Sequence, residues 1–188
     1  MAFDLKKLEK GERIDIGLQH LKVGLRWKTK ADLDASAFML GANGKVVSNE
    51  YFVFYGNKEA PDKSLWSSGD DTTGDDATGD DGDNETLFVQ LDKVSPEVQE
   101  IIFVVTIYEG MKNHQNFGQV RNAYMRIVDA DTDEEICRYE LDEDFSTQNE
   151  VEFGRLYRRH GTWRFEAMGN GGVCTGEKGL EDYVAKYT

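Results

Sequence analysis

The run IIFVVTIY (101–108) is the most continuously apolar stretch of the chain and the best core candidate. It is dense in β-branched residues and closes at Gly110, a combination that predicts a central strand buried on both faces. A sheet must therefore be built around it. From Ile14 to Trp27 the residues Leu21, Val23, Leu25 and Trp27 alternate with polar neighbours, the period-two pattern of a half-buried strand. LDASAFML (33–40) and the aromatic YFVFY (51–55) are joined through Ala42-Asn43-Gly44, and Asn-Gly is a strong hairpin signal.

Leu87, Val89 and Leu91 alternate again, and Ser95-Pro96-Glu97 predicts a helix start of about one turn, with Ser as cap and Pro in first position. Further strands are predicted at 120–128, 135–141, 151–157 and 163–168, separated by turns containing Asp, Gly or Asn. Helical spacing occurs only in the tail, where Leu180, Tyr183, Val184 and Tyr187 share a face. Many short strands and almost no helix predict an all-β chain, an antiparallel β-sandwich with one short C-terminal helix. The chain has 188 residues, 39% of them hydrophobic, which fits one globular domain over 1–188 with a real core. Only two prolines occur, consistent with strands that need every backbone donor.

One stretch belongs to neither helix nor strand. Ser67 to Glu85 reads SSGDDTTGDDATGDDGDNE, with no Lys or Arg between Lys63 and Lys93. Asp70, Asp71, Asp75, Asp76, Asp80, Asp81, Asp83 and Glu85 supply −8 of the net charge of −14, leaving −6 for the remainder. Gly, Asp and Thr form turns, and packed like charges strain a compact loop that lacks a counter-ion. GDDTT, GDDAT and GDDGD repeat at a period of five, read here as a duplicated ligand loop. Converging carboxylates spaced by glycines match the six to eight oxygens that calcium takes. Asp32 and Asp34 of ADLDAS would add oxygens from a strand end. The other reading is a solvated acidic segment that confers solubility, although Asp in nearly every acidic position suits tight coordination better than solubility requires.

A protein this acidic repels phosphate backbones, so direct nucleic-acid binding is not expected unless a metal or a local basic patch intervenes. Cys137 and Cys174 show no zinc-type spacing and no disulfide framework. No apolar run reaches the length of a membrane span, and the start lacks the apolar core of a signal peptide, so membrane insertion is not expected and a cytoplasmic location is. Asp129, Asp131 and Asp133 imitate an EF-hand loop, but Glu134 stands where the loop needs Gly, and a strand pattern precedes it; a hairpin turn is expected. Catalytic patterns are weak: His20, His114 and His160 stand alone, and GNGGVCTG (169–176) fits neither a dinucleotide fingerprint nor a phosphate loop. Arg155, Arg158, Arg159, His160 and Arg164 read as the rim of a hairpin.

In order along the chain, ADLDASAFMLGANGKV, FVFYGN, GDDATGDDGDNE, IIFVVTIY, QNFGQVRNAYMRIVD, EICRYELDEDFS and EFGRLYRRHGTWRFEAMG closely resemble the TerD family of tellurium-resistance and stress proteins. The resemblance spans about residues 12 to 185. It implies a β-sandwich holding two calcium ions between the DLD strand end, Asp32 and Asp34, and the acidic loop. The family pattern GDN-x-TG-x-G-x-GDDE would put Asp75, Asp76, Thr78, Gly79, Asp80, Asp83 and Glu85 in or near the sites. Here the loop is longer by about one GDDTT unit, Asn84 replaces the usual Asp, and Asp70 or Asp71 can substitute for a partner. The expected ligand set is thus Asp32, Asp34, Asp70, Asp75, Asp76, Asp80, Asp81, Asp83 and Glu85. The family implies a non-enzymatic role with protein partners in a stress-response assembly. Two alternatives remain open: a two-metal phosphate hydrolase using the same acids with His160 and Arg158, and a scaffold whose loop is merely solvated.

Overall fold

In a computed structural model, which describes residues 6–28, 30–68, 83–141 and 145–188, the chain builds two six-stranded sheets. In chain order the strands are β1 (Lys6–Lys7), β2 (Arg13–Ile16), β3 (His20–Lys28), β4 (Leu33–Leu40), β5 (Phe52–Val53) and β6 (Leu65–Ser67), then β7 (Glu85–Gln90), β8 (Glu100–Ile107), β9 (Arg121–Asp129), β10 (Glu135–Glu140), β11 (Glu150–Arg159) and β12 (Thr162–Gly172). The helix α1 (Glu181–Tyr187) follows. The first sheet has the order β1-β10-β9-β3-β7-β6 and the second β2-β12-β11-β8-β4-β5. Neighbours are antiparallel apart from β1 and β10, which pair parallel.

The apolar run at 101–108 becomes β8, between β11 and β4 in the middle of the second sheet, and Ile101 to Ile107 are all buried. Its two faces serve two clusters. Ile101, Phe103, Val105 and Ile107 face the first sheet with Leu33, Ala35, Ala37 and Met39 of β4, against Leu21, Val23, Leu25 and Trp27 of β3. Ile102 and Val104, with Phe38 and Leu40, face outward and are covered by Leu180, Tyr183 and Tyr187. The apolar stripe of the tail thus makes β8 and β4 central in depth as well as in order, each such large side chain adding about 1.5–3 kcal/mol on burial.

Two local expectations are revised. YFVFY is strand only at Phe52 and Val53, because Asn49–Tyr51 form a 3-10 turn and Phe54 and Asn57 exchange backbone hydrogen bonds of 3.0 Å that reverse the chain. The aromatic rings still pack, with Phe52 stacked between Phe38 and Phe54 at 4.2 and 4.4 Å. Ser95-Pro96-Glu97 makes a single turn, closed by Val98 N–H donating to the Ser95 carbonyl at 3.0 Å, with no helix after it, because β8 starts at Glu100. The Asn43-Gly44 turn is as expected, Gly44 having a φ of +75° that suits glycine. Asp129 to Glu134 form the β9–β10 hairpin turn rather than an ion-binding loop between helices.

Candidate metal centre

The acidic segment springs from the β6–β7 hairpin. Its neck is closed where Ser68 N–H donates to the Thr86 carbonyl at 2.8 Å and Thr86 N–H donates to Ser68 Oγ at 3.0 Å. Asp70, Asp75, Asp76, Asp80 and Asp81 lie outside the described residues. The segment's C-terminal foot is described, and its three residues are fastened to three different strands.

Asp83 lies over the outer face of the first sheet and takes a two-pronged grip from Arg126 of β9: Nε at 2.9 Å from Oδ1 and Nη2 at 3.0 Å from Oδ2. Burial works against the Arg126 charge, yet Asp83 holds the guanidinium pKa above its ordinary value. Gly24 of β3 makes this possible, since a Cβ there would collide with the Asp83 carboxylate. Asn84 donates its N–H to the Leu25 carbonyl at 2.9 Å, and its side-chain oxygen accepts from Trp27 N–H at 3.1 Å. Glu85 turns inward and is 4% exposed. Its Oε2 accepts from Ala35 N–H at 2.8 Å. That donor sits on the edge of β4 away from β8, where β5 covers only Ala37 and Phe38, so the carboxylate replaces a missing strand neighbour.

Asp34 is the residue before Ala35 and is 3% exposed. By strand alternation it shares the outer face with Ser36 and Phe38, opposite Thr106 of β8. Asp32, two residues earlier and half-buried, belongs to the same side, and its carbonyl accepts from Tyr108 N–H at 2.8 Å. The fold therefore brings the DLD strand end and Glu85 together at the neck of the acidic segment, while it draws Asp83 toward Arg126. Sequence reasoning missed Gly24 and Arg126. Arg126 lies 43 residues from its partner, and nothing local marks it. Asn84, noted only as a departure from the family acid, has a backbone-fastening role that a neutral amide fills.

The remaining candidates are elsewhere. Arg155 pairs with Glu100 at 3.0 Å and Glu166 at 2.8 Å, and Arg164 with Asp15 at 2.8 Å. Arg158 lies over Trp163 and donates to the carbonyls of Val94, Ser95 and Val98, tying down the turn before β8. The basic cluster is thus a set of separate ion pairs and clamps.

Fold and site together define a class: a two-sheet sandwich with a carboxylate-rich loop rooted at one end. A family model described as the TerD domain matches residues 5–187. The chain is 42% identical over 175 residues to the tellurium resistance protein TerD of Serratia marcescens, covering 87% of this chain and 89% of that one. It is also 42% identical over 176 residues to general stress protein 16U of Bacillus subtilis (strain 168), with the same coverage. The crystal structure of a TerD homologue from Streptomyces coelicolor A3(2) superposes with a TM-score of 0.70 at 23% identity, over 84% of this chain and 92% of that one, a likeness of fold. The chain belongs to the TerD family.

Proposed function

We propose that this protein is a non-enzymatic, calcium-binding member of the stress-response machinery, whose loop at 67–85 is ordered by about two calcium ions and which serves as an adaptor in a cytoplasmic multi-protein assembly. The observation that carries this reading is the burial of two carboxylates at the loop's neck: Asp34 at 3% exposure, and Glu85 at 4% exposure, fastened to the N–H of Ala35, the residue after Asp34. Carboxylate oxygens are hard donors, and a donor set of Asp and Glu suits calcium. Asp32, Asp34 and Glu85 would hold an ion from the sandwich side, and Asp70, Asp75, Asp76, Asp80 and Asp81 would supply the rest. A cation that binds only the folded loop stabilises it by its binding free energy. Relatives named for tellurium resistance and for general stress support the stress role.

The hydrolase alternative fares less well. His160 lies in the β11–β12 turn, while Glu150, at the start of β11, is the residue in register with Thr106 and hence Asp34. Ten strand residues, about 33 Å, separate the proposed base from the acids. Calorimetric titration of chelator-stripped protein with calcium, with magnesium as competitor, tests the reading. Uptake of about two calcium ions, little affected by magnesium and lost in a variant combining Asp34→Asn, Asp75→Asn and Asp80→Asn, is expected. Equal affinity in that variant would overturn it.

A further inference from the structure

The outer face of the second sheet carries a second set of ligands, on β11, the segment after β12 and α1, with β8 between Glu150 and Asp34. Glu150 opens β11, Cys174 follows β12, and Asp182 sits in the first turn of α1. One ligand atom from each lies within 4.8 Å of the other two. Cys174 is fixed there by its backbone: its N–H donates to Asn149 Oδ1 at 2.7 Å, and Asn149 Nδ2 donates to its carbonyl at 3.0 Å. Its sulfur is fully buried and 3.6 Å from Glu181 Oε2, so a fourth ligand, a third oxygen, is within reach.

Glu150 supplies the independent sign of a missing ligand. The residue is 6% exposed, and its buried Oε2 has no hydrogen-bond partner. A buried carboxyl oxygen in that position is unfavourable until a proton or a cation meets it. Two acids and a thiol crowd one another, and the consequence is visible in their proton affinities. Burial, then Asp182, pushes the Glu150 carboxyl up to about 8, and burial also raises the Cys174 thiol. A bound cation would reverse both effects.

We infer that Glu150, Cys174 and Asp182 form a binding site for a divalent transition metal of the zinc type. The donor chemistry selects the class: a thiolate disfavours calcium and magnesium, and three or four mixed sulfur and oxygen ligands suit tetrahedral zinc. Metal–sulfur and metal–oxygen bonds of about 2.3 and 2.0–2.2 Å put ligand atoms about 3.5 Å apart, so atoms that already lie within 4.8 Å of one another need to close by about 1 Å at most. Asp182 is the exposed member, able to move and to admit the ion from solvent. On binding, the thiol proton and the carboxyl proton leave to solvent, and the metal takes their place.

The test uses chelator-stripped full-length protein in excess calcium, so that the acidic loop is already supplied, titrated with zinc by calorimetry and with cobalt by absorption. One equivalent of zinc and a thiolate-to-cobalt charge-transfer band are expected. Cys174→Ser should abolish the band and weaken zinc about tenfold or more, as should Asp182→Asn, whose exposed position spares the fold; Cys137→Ser should keep the band. Three results would overturn the inference: no cobalt–thiolate band, a zinc isotherm unchanged by Cys174→Ser, or no zinc uptake, in which case Glu150 and Asp182 simply share a proton. Calcium uptake by Asp182→Asn, measured in parallel, reports on the acidic loop alone and separates the two sites.

Discussion

Glu85 accepts from Ala35 N–H, and under the proposed function it would also hold calcium; substitution separates the two roles. A Gln at 85 still offers an oxygen to Ala35 N–H, whereas an Ala leaves that buried donor unsatisfied. Glu85→Gln should therefore change stability by less than about 1 kcal/mol, while Glu85→Ala should cost about 1–3 kcal/mol in urea denaturation. Calcium affinity, read by calorimetry, should fall in both. Asp83 offers a complementary case. Arg126→Ala removes the partner of a carboxylate whose side chain is 8% exposed, an expected loss of about 2 kcal/mol. Gly24→Ala displaces the same carboxylate from below. Since both break one contact, the double variant should lose little more than the worse single one, and full additivity in a double-mutant cycle would show that the two residues act separately.

At the scale of elements, four strands of the second sheet are tied across their outer face by charge. Glu166 of β12 accepts from Arg155 of β11 and from Arg13 of β2, and Arg155 also reaches Glu100 of β8. Burial opposes the Glu166 charge, but the two arginines outweigh it and hold the carboxyl below its ordinary value of 4.5. A carboxyl lowered in the folded state contributes stability above the unfolded pKa and loses it as pH falls through the folded one. Denaturation midpoints should thus drop as pH falls below about 4.5, and the drop should shrink in Glu166→Gln. The same elements show how α1 works: its apolar stripe covers Phe38, Leu40, Ile102 and Val104, while Glu152 of β11 accepts from Lys186 at 2.6 Å and from the Tyr187 hydroxyl.

For the molecule as a whole, charge is the organising quantity. Eight acids within sixteen consecutive residues, in a chain with a net charge of −14, repel one another unless a cation intervenes. Saturation at a hundred to a thousand times the dissociation constant should stabilise the fold by about 3–4 kcal/mol, a rise in melting temperature of about 10 °C for a chain of this size. Scanning calorimetry of stripped protein with and without calcium measures it, and an unchanged midpoint would reduce the loop to a solvated insertion. Among the described residues no helix is long and apolar enough to cross a membrane.

Most of the longer strands, the two-sided burial of β8, the helical tail and the hairpin at 129–134 were legible in the linear chain, because alternation, helical spacing and turn chemistry act over a few residues. The short β1 and β6 were not, and the pattern from Ile14 to Trp27, read as one strand, breaks after Ile16 into β2 of the second sheet and β3 of the first. Even there, YFVFY misled: its composition favours strand, but Asn57 donates its side-chain amide to the carbonyls of Glu50 and Phe52 and ends the pairing. The DLD end and the acid at 85 could be named from the sequence as candidates. Their meeting at the open edge of β4 could not, because it depends on two sheets packing face to face. The same holds for Arg126 beneath Asp83 and for Glu150, Cys174 and Asp182, which come from β11, the segment after β12, and α1. Contacts of that kind carry no period and no spacing; they exist only once the hydrophobic core has brought distant strands into register.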